Sequence, residues 1–487
     1  MSEDVTPSNP GADGESWKEF LRSFLGEEGA DEALRAMREA GLDPNALGQA
    51  AGIPLDPHQL SLMVTQMQAM MASAGDSAIN EDMARDMSRQ VARTDGDPTI
   101  MASQAAQYRN ALQVADLWLD SVTDFDPPRG RRDVLSRAEW VDNTRDTLLD
   151  VASPVAQQMV DALIETLSGQ LGEGGLPEGL ALPGMPEGGD IGGIASQMMS
   201  KMSAAVFGAQ FGQAIGTLGT EVFGYCDIGF PLTDGGHVAL VPKNVEAFAE
   251  DLEVPFDEVI QFLAVREAAA GRLYSAVPWL PSHIRAILRT YAEGIDIDMD
   301  AMTEAMSSVD PTDPDQIREA MSSGVFALQS TDEQRAALER LETALAVVEG
   351  WVDTVTEQAT RAHLPHTNAL QEMIRRRRAT GGPAERVFAT LVGLDLRPAR
   401  LLDAAKLFAA VQRERGVESR DGLWRHPDLM PTPQDLDEPD TFLARREAEQ
   451  EAGSDFDTSL AALLDGTLPY HDEARAHDDK GEDEPRP

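Results

Sequence analysis

The run Val265-Arg266-Glu267-Ala268-Ala269-Ala270-Gly271-Arg272-Leu273-Tyr274 has the clearest chemical layout in the chain, and Ala276-Val277-Pro278-Trp279-Leu280 follows it. A helix holds zinc when two histidines sit one turn apart, so that both imidazoles face the ion. A glutamate next to the first then acts as general base on the metal-bound water. Glu267 stands where that base would be, and the two ligand places fall on Arg266 and Ala270. A guanidinium is permanently protonated and has no lone pair to give, and a methyl group has nothing to donate. Taken alone, Arg-Glu-Ala-Ala-Ala is a run of good helix formers.

Other residues could in principle supply a metal or a nucleophile. The histidines are His58, His237, His283, His363, His366, His426, His471 and His477. His283 follows Pro281 near the motif, and Pro365 separates His363 from His366, which argues against a shared helical face. Each reads more simply as a surface or helix-terminal histidine. Cys226 is the single cysteine and has no motif partner, so a thiol nucleophile is not expected. Arg375-Arg376-Arg377-Arg378, leading into Thr380-Gly381-Gly382-Pro383, reads first as a basic helix end with a glycine stop. Phosphate binding or docking of an acidic tail is the alternative. Gly381-Gly382 lacks the lysine of a P-loop, and no Gly-x-Ser-x-Gly elbow occurs.

The elements that must position these residues are helical. Ala, Leu and Met are plentiful, aromatic content is 5%, and a hydrophobic content of 42% allows a sizeable core. The net charge of −44, from 84 acidic and 40 basic side chains, repels nucleic-acid phosphates and anionic lipid. Neither nucleic acid nor membrane is therefore an expected partner. The lone cysteine suits a reducing compartment, the N-terminus carries no secretory pattern, and no apolar run is long enough to span a bilayer. A cytoplasmic protein is the expectation.

Along the chain, residues 1–14 read as a disordered N-terminus and 15–171 as an N-terminal helical region. Within the latter, helical spacing appears at 16–25, in the Met-rich face at 57–73, at 103–122, and at 137–164 with a break expected near Pro154. Residues 172–193, dense in Gly and Pro, read as a linker. Residues 194–430 form the core region. There Gly208, Gly212 and Gly216 make a smooth stripe for close helix packing. Asp227–Leu232 and His237–Pro242 read as a short hairpin, and Asn244 as a helix cap. Helices are expected to begin at Asp257 and to cover 284–294, 332–363, 384–392 and 401–415. Residues 431–487, with 17 acidic and 5 basic side chains, read as an acidic tail with one helical patch at 442–451.

The stretch Phe262–Ala269 with Arg272-Leu273 and Val277–Leu280 resembles the motif region of the actinobacterial zinc-dependent metalloprotease-like family. That family is zincin-like and has been associated with deazaflavin coenzyme biosynthesis. The likeness extends through Phe207–Gln210, Asp227–Gly229, Tyr291–Ile295, Glu349–Asp353, Arg375–Pro383 and Leu423–Asp428. It implies a mainly α, zincin-like scaffold with at most a short β-hairpin and disordered termini. The family pattern is His-Glu-x-x-His, or a variant with Arg first and His last. Carried over, Glu267 would be the general base, and Glu349, before Gly350, a possible third metal ligand. Arg266 and Ala270 depart from the pattern at both histidine places.

The function implied is that of a hydrolase scaffold without its metal, a pseudo-peptidase binding a polypeptide ligand, with no cofactor expected. If the family activity were retained, zinc would be the cofactor, with Glu267, Glu349 and a distant histidine doing the work. A structural protein that oligomerises through its Gly stripe and Met-rich helix is the third reading. A buried cluster of Arg266, Glu267 and Glu349 is expected to fill the vacated metal place.

Overall fold

The computed structural model describes residues 77–174, 191–233, 236–250, 252–293, 331–382, 400–449 and 451–452. The expected helices at 16–25, 57–73 and 384–392, the N-terminus, the middle of the 172–193 linker and most of the acidic tail lie outside them. Helices α1 (Glu81–Ala92) and α2 (Ala102–Leu119) lead to strand β1 (Arg132–Val134) and to the long helices α3 (Arg137–Gly174) and α4 (Ile191–Gly219). Strand β2 (Val238–Leu240) precedes α5 (Pro242–Ala249), α6 (Phe256–Ala276) and α7 (Trp279–Glu293). Then come α8 (Asp332–Arg361), α9 (Thr367–Ala379), α10 (Leu401–Arg415), α11 (Val417–Gly422) and α12 (Pro433–Asp437). The mainly helical expectation holds.

Helix α6 is the centre of the molecule. From Val259 to Tyr274 every residue except Gln261 is buried. A helix apolar or small all round belongs inside a core, and here α2, α8 and β2 close around it. Opposite it, α8 opens with a capping box between Thr331 and Gln334. One apolar cluster includes residues from Ala78 to Phe442. Leu436 and Phe442 are buried in it, so the first part of the segment read as a tail belongs to the fold.

The glycine stripe packs as its spacing predicts, and its partner is internal. Added methyls at Gly208, Gly212 and Gly216 would lie 2.5–2.6 Å from Asn80, Ala84 and Val91 on the α1 side. That face of α4 is therefore filled by α1 rather than by a second copy of the chain. No helix among the described residues is long and apolar enough to cross a membrane.

Three local expectations are corrected. The strands form a two-stranded parallel sheet with Arg132 opposite Val238, Asp133 opposite Ala239 and Val134 opposite Leu240. They are not the hairpin expected within 227–242. Asp227 instead accepts the Phe223 amide at 3.0 Å, and Gly229 at φ +72° turns the chain. Parallel strands need a long crossover, and α3 and α4 supply it. Second, α3 runs unbroken through Pro154. The carbonyl that loses its partner is that of Asp150, an exposed residue. Third, Asn244 does not cap α5, which starts at Pro242. Its buried amide donates to the carbonyls of Gly219 and Val222 at 3.0 and 2.6 Å and accepts from Arg137 Nε at 2.7 Å.

Candidate functional site

Arg266, Glu267 and Ala270 project from the middle of α6 and are buried, as is Glu349 on α8. Adjacent residues on a helix diverge by about 100°, so Arg266 and Glu267 face different neighbours. Arg266 Nη2 donates to Glu349 Oε2. The other oxygen, Oε1, accepts from Arg378 Nη2 on α9 at 3.0 Å. Arg378 also donates to the carbonyl and carboxylate of Asp227. Of the expected cluster of Arg266, Glu267 and Glu349, the Arg266–Glu349 pair is present and Glu267 is not part of it; Arg378 and Asp227 are the further members.

Glu267 is held by backbone. Its carboxylate accepts the amides of Tyr225 at 2.9 Å, Cys226 at 3.1 Å and Ala239 at 3.1 Å. The Ala239 amide points away from β1, so this carboxylate completes the outer edge of β2. Gly224 allows the approach, because a methyl there would sit 2.3 Å from the Ala239 carbonyl and 2.5 Å from the Glu267 carboxyl. Trp140 Nε1 donates to the Gly224 carbonyl at 2.9 Å and fixes the loop from behind. Burial pushes Glu267 up to about 7 despite the three amides that favour its charged form. Burial and the nearby Glu267 push the Cys226 thiol well above its ordinary value, which suits a packed side chain rather than a nucleophile.

Between these groups lies a cavity of about 20 Å³, bordered by Arg266, Glu267, Ala270, Cys226, Asp227 and Glu349. On this measure one water needs roughly 10–15 Å³, so it has room for a single water-sized body.

The Arg375–Arg378 run faces inward in large part. Arg375 donates to Asp353 at 2.6 Å, and Gln371 adds a bond at 2.9 Å to the same oxygen. Arg377 lies 4.0 Å over the Phe223 ring. Only Arg376 stays at the surface, paired with Glu372. Glu349 and Asp353, one turn apart on α8, thus meet Arg378 and Arg375, one turn apart on α9. The run ends at Gly381 with φ +85°, as a basic helix end should.

Residues 79–443 match the family of zincin-like metallopeptidases. The chain belongs to that family. In fold, this zincin-like chain is similar to a candidate hydrolase with a novel fold from Chloroflexus aurantiacus. The two share 18% identity and a TM-score of 0.53, over 76% of this chain and 99% of that one. No curated protein matches it.

Zinc is the metal this family suggests, and the side chains present do not fit it. Arg266 and Ala270 supply no donor, both oxygens of Glu349 face guanidinium groups, and Glu267 is taken up by amides. Among the described residues no three His, Cys, Asp or Glu side chains are grouped to hold an ion. The described histidines are engaged elsewhere. His237 accepts the Arg131 amide at 2.8 Å, and His363 stacks on Trp118 at 4.2 Å. His366 pairs with Glu258, His426 accepts the Asp428 amide, and His283 meets Trp279 edge-on.

Sequence reasoning missed Arg378, Asp227 and Asp353 as members of the site. For Arg378 and Asp353 the signal was present as two acids four apart on one helix and two arginines three apart on another.

Proposed function

We propose that the chain is a pseudo-peptidase, a zincin-like protein that binds a polypeptide in its cleft without cutting it. The observation that carries this reading is the clamp on Glu349. Glu349, the acid that the family resemblance marks as a possible metal ligand, is bonded on both oxygens by Arg266 and Arg378. A carboxylate so engaged, beside an alanine and an arginine at the histidine places, lacks the roughly three donors that catalytic zinc requires. A raised Glu267 by itself would suit a general base. Its three amide bonds give it a structural task instead.

Support for the binding half comes from an open groove at the last turn of α6. Its volume is about 560 Å³, and its walls include Phe125, Asp126, Pro128, Tyr274, Ser275 and Ala276. Half-buried Phe125 with exposed Pro127, Asp126, Ser275 and Ala276 suits an extended peptide better than an anionic polymer, given the net charge of −44.

Metal content after dialysis, together with incubation of an unstructured protein substrate with and without added zinc, tests the reading. The expected result is zinc far below one ion per chain and no new fragments. Peptides from a fluorescent library should be retained by the wild type and released by Ala276→Trp, which fills the groove. Stoichiometric zinc that survives dialysis and is lost in Glu349→Ala, with fragments appearing, would overturn it.

A further inference from the structure

We infer that the guanidinium of Arg266 stands in for the metal ion as the cation that ties α6 to α8. Three observations support this. Arg266 occupies a metal-ligand place, yet its side chain lies buried against Glu349, the acid that the family resemblance marks as a metal ligand. Arg378 brings α9 to the same carboxylate and carries the tie on to Asp227 in the loop before β2. Beside them, the cavity at Ala270 is bordered by Arg266, Glu267 and Glu349 and has room for one water-sized body. One positive charge thus links the two central helices, as an ion held between them would, and no metal is needed to complete the fold.

The geometry makes the tie asymmetric. If Arg266 is removed, Glu349 still has Arg378. If Glu349 is removed, a buried guanidinium loses its partner, and an uncompensated buried charge is the costly case.

Thermal unfolding of the full-length chain tests the inference independently of peptide binding or cleavage, so its failure is separable from that of the proposed function. Chelator should leave the wild-type Tm unchanged. Glu349→Leu should lower Tm by roughly 5–10 °C and Arg266→Met by less, and the double variant should recover part of the Glu349→Leu loss. Arg266→His/Ala270→His should respond to zinc, its Tm rising by about 5 °C with added ion while the wild type stays flat. Adding Glu349→Gln to that pair should abolish the rise. Additive losses in the Arg266–Glu349 cycle would overturn the inference. So would a chelator-sensitive wild type, or a folded histidine pair indifferent to zinc. If the histidine pair does not fold, the Arg266–Glu349 cycle decides.

Discussion

Arg266 on α6 reaches Glu349 on α8 across 83 residues of chain, and the contact sits where the family resemblance expects a metal and its acidic ligand. The neighbouring Glu267, by contrast, spends its carboxylate on the backbone of the 224–226 loop and β2. Two adjacent residues of one helix thus do unrelated structural work, and each makes its own predictions.

Glu267→Leu should destabilise the protein by about 3 kcal/mol or more, since three buried amides lose their acceptor at about 1–3 kcal/mol each. Urea unfolding at neutral pH measures the loss. A change below about 0.5 kcal/mol would show that the amides find other acceptors.

The same residue sets a pH dependence. Its pKa is raised to about 7 in the folded protein, from about 4.5 in the unfolded chain. A carboxyl raised in this way contributes stability that is fully present below the unfolded value and is lost as pH rises through about 7. On the order of 3 kcal/mol is involved. The stability gap between wild type and Glu267→Leu should therefore be wider near about pH 5 than near about pH 8. A gap independent of pH would contradict the raised value.

Gly224→Ala should cost roughly 3 kcal/mol, because the methyl meets both the Ala239 carbonyl and the Glu267 carboxyl. Gly381→Ala provides the contrast. That position has open space and only a left-handed φ, so the loss there should be about 1 kcal/mol. Equal losses at the two positions, read from denaturant midpoints, would argue against the close approach at Gly224.

The arginine run should divide by partner. Arg375→Met takes the ion-pair partner from the buried Asp353 carboxylate and leaves it only the Gln371 amide, and should cost about 3 kcal/mol. Arg376→Met removes an exposed pair with Glu372 and should change stability by less than about 1 kcal/mol. Chemical denaturation of the two variants side by side gives the comparison.

Much of this was legible from local pattern. Apolar spacing and turn residues located α2, α6, α8 and α10 to within a few residues, because helix formation depends on neighbours three and four apart. The Gly208–Gly216 stripe announced a close helix contact for the same reason. The absence of both histidines was a matter of residue identity alone. Short-range signals failed where the structure is built at long range. A three-residue strand carries no readable alternation, so Arg132–Val134 passed unnoticed and the pairing of β2 was assigned to the wrong segment. Asn244 looked like a cap because its side chain suits one, but burial turned it toward Gly219, Val222 and Arg137.

The sequence by itself determined that this is a helical zincin-like chain with Glu267 standing between an arginine and an alanine. Only the tertiary structure decided what those residues do. The choice of partner for a buried charge depends on which helices pack together, and residue spacing along one helix does not contain that information. Packing placed Arg266 and Arg378 on Glu349 and gave Glu267 to three backbone amides. Each buried charge or amide takes the partner within reach, since leaving it unpaired in the interior costs more than any local preference returns.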